Sequence, residues 1–336
     1  MFNYVVRRLL YSLAGLLGVV VITFFLSHIL PGDPAQLMAG GTRARPEVVA
    51  QVRQELGLDQ PVTTQFVRYV SGLFHGDLGF SIQSRRPVSQ DLRRYMPATV
   101  ELAVASIVIV ALLGVPLGVW AAVRRDGLFD QFARVLSVGG VSMPVFWFAL
   151  LAQLAFYRTL HWLPVGGRLS LFATPPPHIT GMYLLDAILA GNWATAQDAA
   201  VHLVMPAFVL AMGSLAVVVR MVRGSVLEVM RLDYVRTARA KGLPNLKVIF
   251  KHVLRNAVIP VITVLGLQFG SLLSGAVLIE VVFNWPGIGL YAVQSVTALD
   301  YQPILGVTIL IGLVYVTLNL IVDVLYAQLD PRIRLS

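Results

Sequence analysis

Long apolar runs with few charged residues are the feature that most limits what this chain can fold into. A helix needs about 20 apolar residues to cross a bilayer, and within lipid only helices and closed barrels satisfy their own backbone polar groups. The runs therefore predict an all-α integral membrane protein with six transmembrane helices. The expected spans are Leu9–Leu30, Ala98–Val123, Val135–Tyr157, Val201–Val222, Ala257–Phe283 and Pro303–Ala327.

Composition and charge exclude several classes of protein. The chain is 57% hydrophobic and 13% charged, whereas soluble domains average roughly 25% charged residues. It contains no cysteine, which rules out disulfides, thiolate metal sites and thiol catalysis. Its net charge of +9 does not indicate nucleic acid, because Lys and Arg cluster beside apolar spans rather than on a soluble module. The lipid bilayer is the expected partner.

The distribution of basic residues predicts the orientation. Arg7 and Arg8 precede the first apolar run, whose length of about 22 residues exceeds the 7–15 residues of a signal-peptide core. The first run is therefore expected to remain as an uncleaved span. Short loops on the expected inner side carry more Lys and Arg than short loops on the outer side, which places both termini in the cytoplasm.

Two outer loops precede the second and fourth spans. In the first loop, Pro46 is suited to open a helix and Gly57 to stop it, and a second helix is expected near Phe66. The second loop, about residues 158–200, predicts a short surface helix near Met182–Leu189.

The most charged stretch is residues 223–256, between the fourth and fifth spans. It predicts a helix over Ser225–Ala240, ended by Gly242, which accepts a left-handed conformation. Pro244 prevents continuation, and Asn245 is suited to cap a second helix. That helix has apolar residues at helical spacing, namely Leu246, Ile249, Phe250 and Val253. The expected structure is a compact basic helix-turn-helix.

This stretch resembles the cytoplasmic coupling loop of ATP-binding-cassette importer permeases. The resemblance lies in Arg-Thr-Ala-Arg-Ala-Lys-Gly-Leu, preceded by Asp-Tyr and followed by Arg-Asn-Ala and Pro260. Where the wider family has Glu-Ala-Ala, this chain has Arg-Thr-Ala, which is typical of the dipeptide, oligopeptide and nickel subfamily. LPGDP, ELGLDQP and GDLGFS, in that order, also resemble the N-terminal region of that subfamily. The residues that the resemblance assigns to ATPase coupling are Arg236, Thr237, Ala238, Arg239, Ala240, Lys241, Gly242, Leu243 and Pro244.

The resemblance is to the B-type membrane subunit, with dipeptide permeases most similar. It implies a type I ABC importer permease fold in the bacterial inner membrane, with residues 1–97 as first span plus large periplasmic loop and residues 98–336 as permease core. It also implies a homologous second permease subunit as heterodimer partner, two cytoplasmic ATPase subunits that hold ATP and Mg, and a periplasmic peptide-binding protein. No cofactor or metal is expected on this chain. Dipeptides, longer peptides, nickel, glutathione and haem remain open as substrates.

Motifs for chemistry are missing. No lysine follows a glycine, so a GxxxxGK[ST] phosphate loop is absent, and no HExxH pairing occurs. Gly140-Val141-Ser142 lacks the closing glycine of a serine elbow, because Pro144 stands there. The chain is therefore not expected to be an enzyme. Two other classes remain open: a stand-alone secondary transporter, and an intramembrane hydrolase using Ser142 with His202.

Charged residues are few within the expected spans. Pro97 and Glu101 suit the first turn of the second span, since a carboxylate is stabilised at a helix N-terminus. Glu280 and Asp323 lie near the ends of their spans, where polar groups can reach the interface.

The fifth span carries two distinct faces. Residues of the first face are small and recur every four positions, as in helices that pack closely in lipid: Gly266, Gly270 and Ser274. The opposite face is a candidate pathway surface, formed by Gln268, Ser271 and Gly275. The alternative is that Gln268 hydrogen-bonds to a neighbouring helix, which is common in membrane proteins.

Overall fold

A computed structural model describes residues 2–29, 33–125 and 143–329, together with residues 127, 131 and 139. Apart from turns and loops, the described part is helical with one short hairpin, in which β1, Phe80–Ser81, pairs antiparallel with β2, Arg86–Pro87. The α-helices are α1 Phe2–Ile29, α2 Pro34–Met38, α3 Pro46–Leu56, α4 Val62–Phe74, α5 Val88–Ile109, α6 Val115–Val123, α7 Val145–Ala152, α8 Tyr183–Leu189, α9 Trp193–Met230, α10 Asp233–Ala240, α11 Asn245–Lys247, α12 Leu254–Val282, α13 Ile288–Thr297 and α14 Tyr301–Leu329. A 3₁₀ turn occupies Gly41–Arg43, and π-helical segments occupy Val110–Gly114, Gln153–Thr159 and Val248–Val253.

Four continuous helical segments of the described chain are long and apolar enough to cross a membrane. They are Val88–Val123, Trp193–Met230, Pro260–Val282 and Tyr301–Val322. Leu9–Phe25 and Val145–Thr159 are shorter apolar helices. The third span was expected to begin at Val135, and most of its residues that precede Pro144 lie outside the described residues. Four of the six expected spans, the second, fourth, fifth and sixth, thus correspond to described helices that are long enough to cross a membrane.

The second span begins earlier than the sequence predicts. Its helix starts at Val88, so Pro97 lies inside it and Glu101 lies well beyond the first turn. The expected start at Ala98 is wrong because the preceding residues have their own packing partners. Val88 and Leu92 are buried in a small cluster that also contains residues of α13 and α14.

Helix α9 lies at the centre of the molecule. In its most apolar stretch 67% is buried, against 17% for α14, so α9 is the helix around which the others pack. Close approach of α6 depends on Gly118, where an added Cβ would lie 2.6 Å from Val222 Cβ of α9. A side chain at this position would separate the two helices.

Buried residues form two main clusters. One includes Leu102, Leu272, Phe283 and Trp285 and lies towards the ends of α5 and α12 that meet the second outer loop. The other lies towards the opposite ends and includes Val218, Val222, Val226, Ala257 and Val261. The second cluster also contains residues of the basic segment 223–256.

The first outer loop is fastened to the helices at several points. Helix α3 begins at Pro46 and ends at Gly57, whose φ is +67°, as the sequence predicts. The β-hairpin is held by Ser81 Oγ, which donates to Asp300 Oδ2 at 2.7 Å. Nearby, Tyr291 Oη donates to Asp91 Oδ2 at 2.9 Å, and burial raises the pKa of Tyr291, which keeps it a donor.

Candidate coupling segment and transmembrane site

The coupling segment, residues 223–256, is continuous with the helices on both sides. The single first helix expected over Ser225–Ala240 is wrong: Ser225–Met230 ends α9, and the chain turns at Arg231–Leu232 before α10. Leu232 is extended, with ψ of 146°. The turn allows Val235, whose side chain is fully buried, to fold back onto the core instead of projecting into water.

Gly242 ends α10 as the sequence predicts. Its φ is +74°, and its N–H donates to Arg239 O at 2.9 Å. Pro244 then occupies the N-cap position of α11 with ψ of 140°, and Asn245 is the first helical residue. The expectation that Asn245 caps this helix is therefore wrong, because proline's fixed φ already suits the extended cap position.

From α11 the chain passes through the π-helical segment directly into α12. The four apolar positions expected on one face separate into two pairs. Ile249 and Val253 are buried, whereas Leu246 and Phe250 are 71% and 66% exposed. Apolar side chains at such an exposed position are suited to contact with another protein.

The coupling segment shares one hydrophobic core with the helices. Val235, Ala238, Val248 and Val253 belong to the same buried cluster as residues of α6, α9 and α12. A displacement of the segment must therefore move the ends of these helices, since a close-packed core does not deform freely.

Hydrogen bonds add to this connection. Tyr234 Oη donates to His252 O at 3.2 Å and accepts from Asn256 Nδ2 at 2.6 Å. Ser225 Oγ donates to Ala257 O at 3.1 Å, which joins the end of α9 to α12.

The surface of the segment is basic. Among the expected coupling residues, Ala238 is buried and Leu243 partly buried, while the others are exposed. The Arg236–Asp233 pair is 3.7 Å apart, but both side chains lie in solvent, where such a pair contributes little. Further exposed cations are Arg239, Lys241, Lys247, Lys251 and Arg255.

The small-residue face of the fifth span lies against α14. A Cβ added at Gly266 would lie 2.6 Å from Val322 Cγ2, and one at Gly270 would lie 3.8 Å from Tyr315 Cδ2. Ser274 Oγ donates to Gly270 O within the helix. Both Gly270 and Ser274 border a cavity of about 20 Å³, which has room for a water molecule.

On the opposite face, Gln268 contacts the central helix. Its Oε1 accepts a hydrogen bond from Ser214 Oγ of α9 at 2.8 Å, so the neighbouring-helix alternative describes its observed contact. Ser271 is exposed and donates to Leu267 O of its own helix, and open space surrounds Gly275. A pathway role for these three residues stays a prediction.

A buried ion pair, missed from the sequence, joins α5 to the second outer loop. Arg168 Nη2 donates to Glu101 Oε2 at 2.5 Å and to Gly181 O at 2.8 Å, and its guanidinium lies 3.6 Å from the Tyr183 ring centroid. Glu101 Oε1 also accepts from Leu184 N at 2.7 Å. Glu101 therefore has a structural role, but its partners are an arginine 67 residues away and the first turn of α8, and not the N-terminus of its own helix.

The second outer loop contains a buried carboxylate of its own, that of Asp186. It accepts hydrogen bonds from the backbone of Ile179, Thr180 and Gly181 and from Thr180 Oγ1. Burial raises the pKa of Asp186, but these hydrogen bonds outweigh it, so its pKa lies below the ordinary value. The carboxylate fixes the turn that leads into α8.

Glu280 is fully buried, so the expectation that it reaches the interface is wrong. Its Oε1 accepts from Thr99 Oγ1 at 2.6 Å and its Oε2 from Leu290 N at 2.9 Å. The chain after α12 wraps around the carboxylate, and a Cβ at Gly287 would lie 2.3 Å from Oε1. The side chain of Asp323 lies outside the described residues.

The residues of the hydrolase alternative do not form a described site. Ser142 lies outside the described residues, and His202 Nδ1 is 2.9 Å from Asp198 O of its own helix. Within the described ranges, no group of three His, Asp or Glu side chains is placed to hold a metal ion.

Membrane-length apolar helices whose core continues into a basic segment define a multi-pass membrane protein. The chain belongs to the family described as binding-protein-dependent transport system inner membrane component, which matches residues 114–335. The N-terminal model of such membrane components matches residues 1–103. The resemblance to ATP-binding-cassette importer permeases is thus confirmed, and the chain is a permease component of such an importer.

Relatives of known designation cover nearly the whole chain. It is 50% identical over 316 residues to the probable D,D-dipeptide transport system permease protein DdpB of Escherichia coli K12, covering 94% of this chain and 93% of the relative. It is 42% identical over 338 residues to the dipeptide transport system permease protein DppB of the same strain, covering 99% of each. Identity to the glutathione transport system permease protein GsiC of Salmonella paratyphi A is 42% over 335 residues, again 99% of each.

Proposed function

We propose that this chain forms half of the pathway by which an ATP-driven importer carries dipeptides or short oligopeptides across the inner membrane. The support is that relatives at 50% and 42% identity are designated dipeptide transport permeases. A homologous permease would complete the pathway, two cytoplasmic ATPases would bind ATP and Mg, and an extracytoplasmic binding protein would deliver the peptide.

The hydrophobic core that the coupling segment shares with the spanning helices would transmit motion from the ATPases to those helices. When ATP closes the ATPase pair, the basic surface around Arg236–Pro244 moves with it. Because Val235 and Val253 pack into the same cluster as Val222, the ends of α9 and α12 follow. The helices then expose the pathway to the other side. ATP drives this change only through contacts that differ between the two states.

The proposed topology has six spans, with both termini and the coupling segment in the cytoplasm. The first span and large loop occupy residues 1–97, and the five-span core occupies residues 98–336. Separate family models for residues 1–103 and 114–335 support this division. Single cysteines at Asn245 and at the exposed Gln54 of the first outer loop test the orientation of this cysteine-free chain with an impermeant maleimide. Labelling of position 245 from outside would overturn it.

Glutathione is the second candidate substrate, because a glutathione permease is 42% identical over the same length. The test is uptake by the complete complex in liposomes with its binding protein and labelled dipeptide. We expect unlabelled dipeptides to compete more strongly than glutathione, nickel or haem. Stronger competition by glutathione would replace the dipeptide assignment, and competition by nickel or haem alone would contradict both.

The same liposomes separate this function from the two other classes. Uptake should stop without ATP and without the ATPase subunits. A stand-alone secondary transporter would continue under an ion gradient. An intramembrane hydrolase would cleave peptide without transporting it, and Ser142→Ala would abolish that cleavage.

We also propose that Gln268, Ser271 and Gly275 face the pathway. The contact between Gln268 and Ser214 provides a matched control. Gln268→Ala should change transport rate or peptide preference without affecting assembly, whereas Ser214→Ala, which removes the same hydrogen bond, should leave transport unchanged. If the two variants behave alike, Gln268 acts only through its contact with α9, and its pathway role is wrong.

A further inference from the structure

Within the second outer loop, residues 160–192 have no Asp, Glu, Lys or Arg side chain on their surface, and the exposed Arg158 lies just before them. The only Asp, Glu, Lys or Arg residues in this range are Arg168 and Asp186, which are 7% and 1% exposed. Both are neutralised or hydrogen-bonded internally, by Glu101 and by backbone N–H groups respectively. Water-facing loops ordinarily carry exposed charge, so this surface indicates a different environment.

The tip of the loop presents two large apolar side chains. Ala173 N donates to Ser170 O at 3.0 Å, which closes a turn with Leu171 and Phe172 at its centre. These side chains are 93% and 95% exposed. Central turn positions usually carry Gly, Pro, Asn, Asp or Ser, so a Leu-Phe pair is not explained by turn formation.

Contacts with α9, combined with the expected start of its span, indicate the level of this tip relative to the membrane. Ser170 N and Ser170 Oγ donate to the Asp198 carboxylate at 2.8 and 2.7 Å. Asp198 belongs to α9 and precedes Val201, the expected start of the apolar span, by three residues, about 4.5 Å along the helix. The tip is therefore held where the polar and apolar parts of the bilayer meet.

Two tryptophans lie at the same ends of the adjoining helices. Trp162 follows the apolar helix Val145–Thr159, and Trp193 begins α9; each is 68% exposed. Tryptophan is enriched at membrane interfaces, because its ring is apolar and its N–H is polar. Exposed apolar residues continue from this loop along the preceding helix, through Leu160 and Leu154.

We propose that the second outer loop lies on the bilayer, with Leu171 and Phe172 inserted among the lipids. The partner is the lipid surface, because the exposed Leu171 and Phe172 are apolar, the exposed Trp162 and Trp193 are typical of a membrane interface, and residues 160–192 expose no Asp, Glu, Lys or Arg. The turn already presents both side chains for insertion, because the hydrogen bonds from Ser170 to Asp198 hold it against α9. The anchored loop would hold the Arg168–Glu101 contact, and with it α5, at a constant depth.

Spin labels test this depth directly, because the natural chain has no cysteine. Leu171→Cys and Phe172→Cys are labelled in the complete complex, in nanodiscs of phosphatidylethanolamine and phosphatidylglycerol without binding protein. Gln54→Cys, exposed on α3 of the charged first outer loop, is the control. We expect labels at 171 and 172 to be relaxed more by oxygen than by a water-soluble nickel chelate, and the label at 54 to show the reverse.

Two outcomes would overturn the proposal. If the labels at 171 and 172 relax with the nickel chelate as the control does, the tip lies in water. If they are shielded from both oxygen and chelate, protein covers them, and the second permease subunit is the occupant. Measuring two adjacent turn positions guards against a local effect of one substitution.

Discussion

The turn at Gly242 offers a direct test of the coupling segment, because its requirement is conformational and not steric. Its φ of +74° is strained for residues with a side chain, yet no atom lies within 4 Å of an added Cβ. The valine side chain in Gly242→Val therefore has room, but the backbone must adopt a conformation that valine disfavours. The left-handed region costs a residue with a Cβ about 1–2 kcal/mol, and a β-branched residue resists it most. That cost disfavours the native turn about 5- to 30-fold relative to alternatives.

Asparagine provides the matched control, because it tolerates the left-handed region far better than valine. The assay is the ratio of peptide transported to ATP hydrolysed by the reconstituted complex, at equal amounts of inserted protein. We expect Gly242→Val to lower this ratio several-fold or to release the ATPases, and Gly242→Asn to stay near the natural protein. Equal ratios for the two variants would refute a requirement for this turn in coupling.

Three further predictions concern stability of the purified complex. Gly266→Ala brings a Cβ to 2.6 Å from an α14 side chain and should destabilise helix packing by roughly 1–3 kcal/mol. Gly270→Ala, whose Cβ would lie 3.8 Å from the nearest atom, should not destabilise it. Equal melting temperatures for the two variants would contradict this packing. Arg168→Met leaves Glu101 buried without its cation and should cost about 3–5 kcal/mol, much of which Glu101→Leu in the same chain should restore; no restoration would show that the loss is steric. Because the folded-state pKa of Asp186 is lowered, its contribution to stability is present above the ordinary pKa of about 3.9 and is lost as pH falls through the lower folded value. Asp186→Asn should remove that part of the acid dependence, and an unchanged pH profile would show that another group causes it.

Sequence patterns predicted the local features of this fold well, because they depend on neighbouring residues. Gly57 and Gly242 end their helices with positive φ, as their positions between helical runs predict. The short helix α8, Tyr183–Leu189, lies where the second outer loop was expected to contain one.

Features that depend on distant residues were missed. Arg168 gives no local sign that it will be buried against Glu101, and Glu280 gives none that the following turn will enclose it. Likewise, Pro97 looks like a helix start until the packing of Val88 is known. In the coupling segment the pattern identified the apolar residues, but the break at Arg231–Leu232 arises from Val235 returning to a core built by other helices.

The central claim is that the basic surface of the coupling segment contacts the ATPases. Arg239→Cys introduces the single cysteine of the chain on that surface. A thiol-reactive photo-crosslinker is attached to it before the complex is assembled. After irradiation of the complete complex in nanodiscs, mass spectrometry identifies the partner. The account predicts a cross-link to an ATPase subunit. Cross-links to lipid alone, or to the extracytoplasmic binding protein, would contradict it.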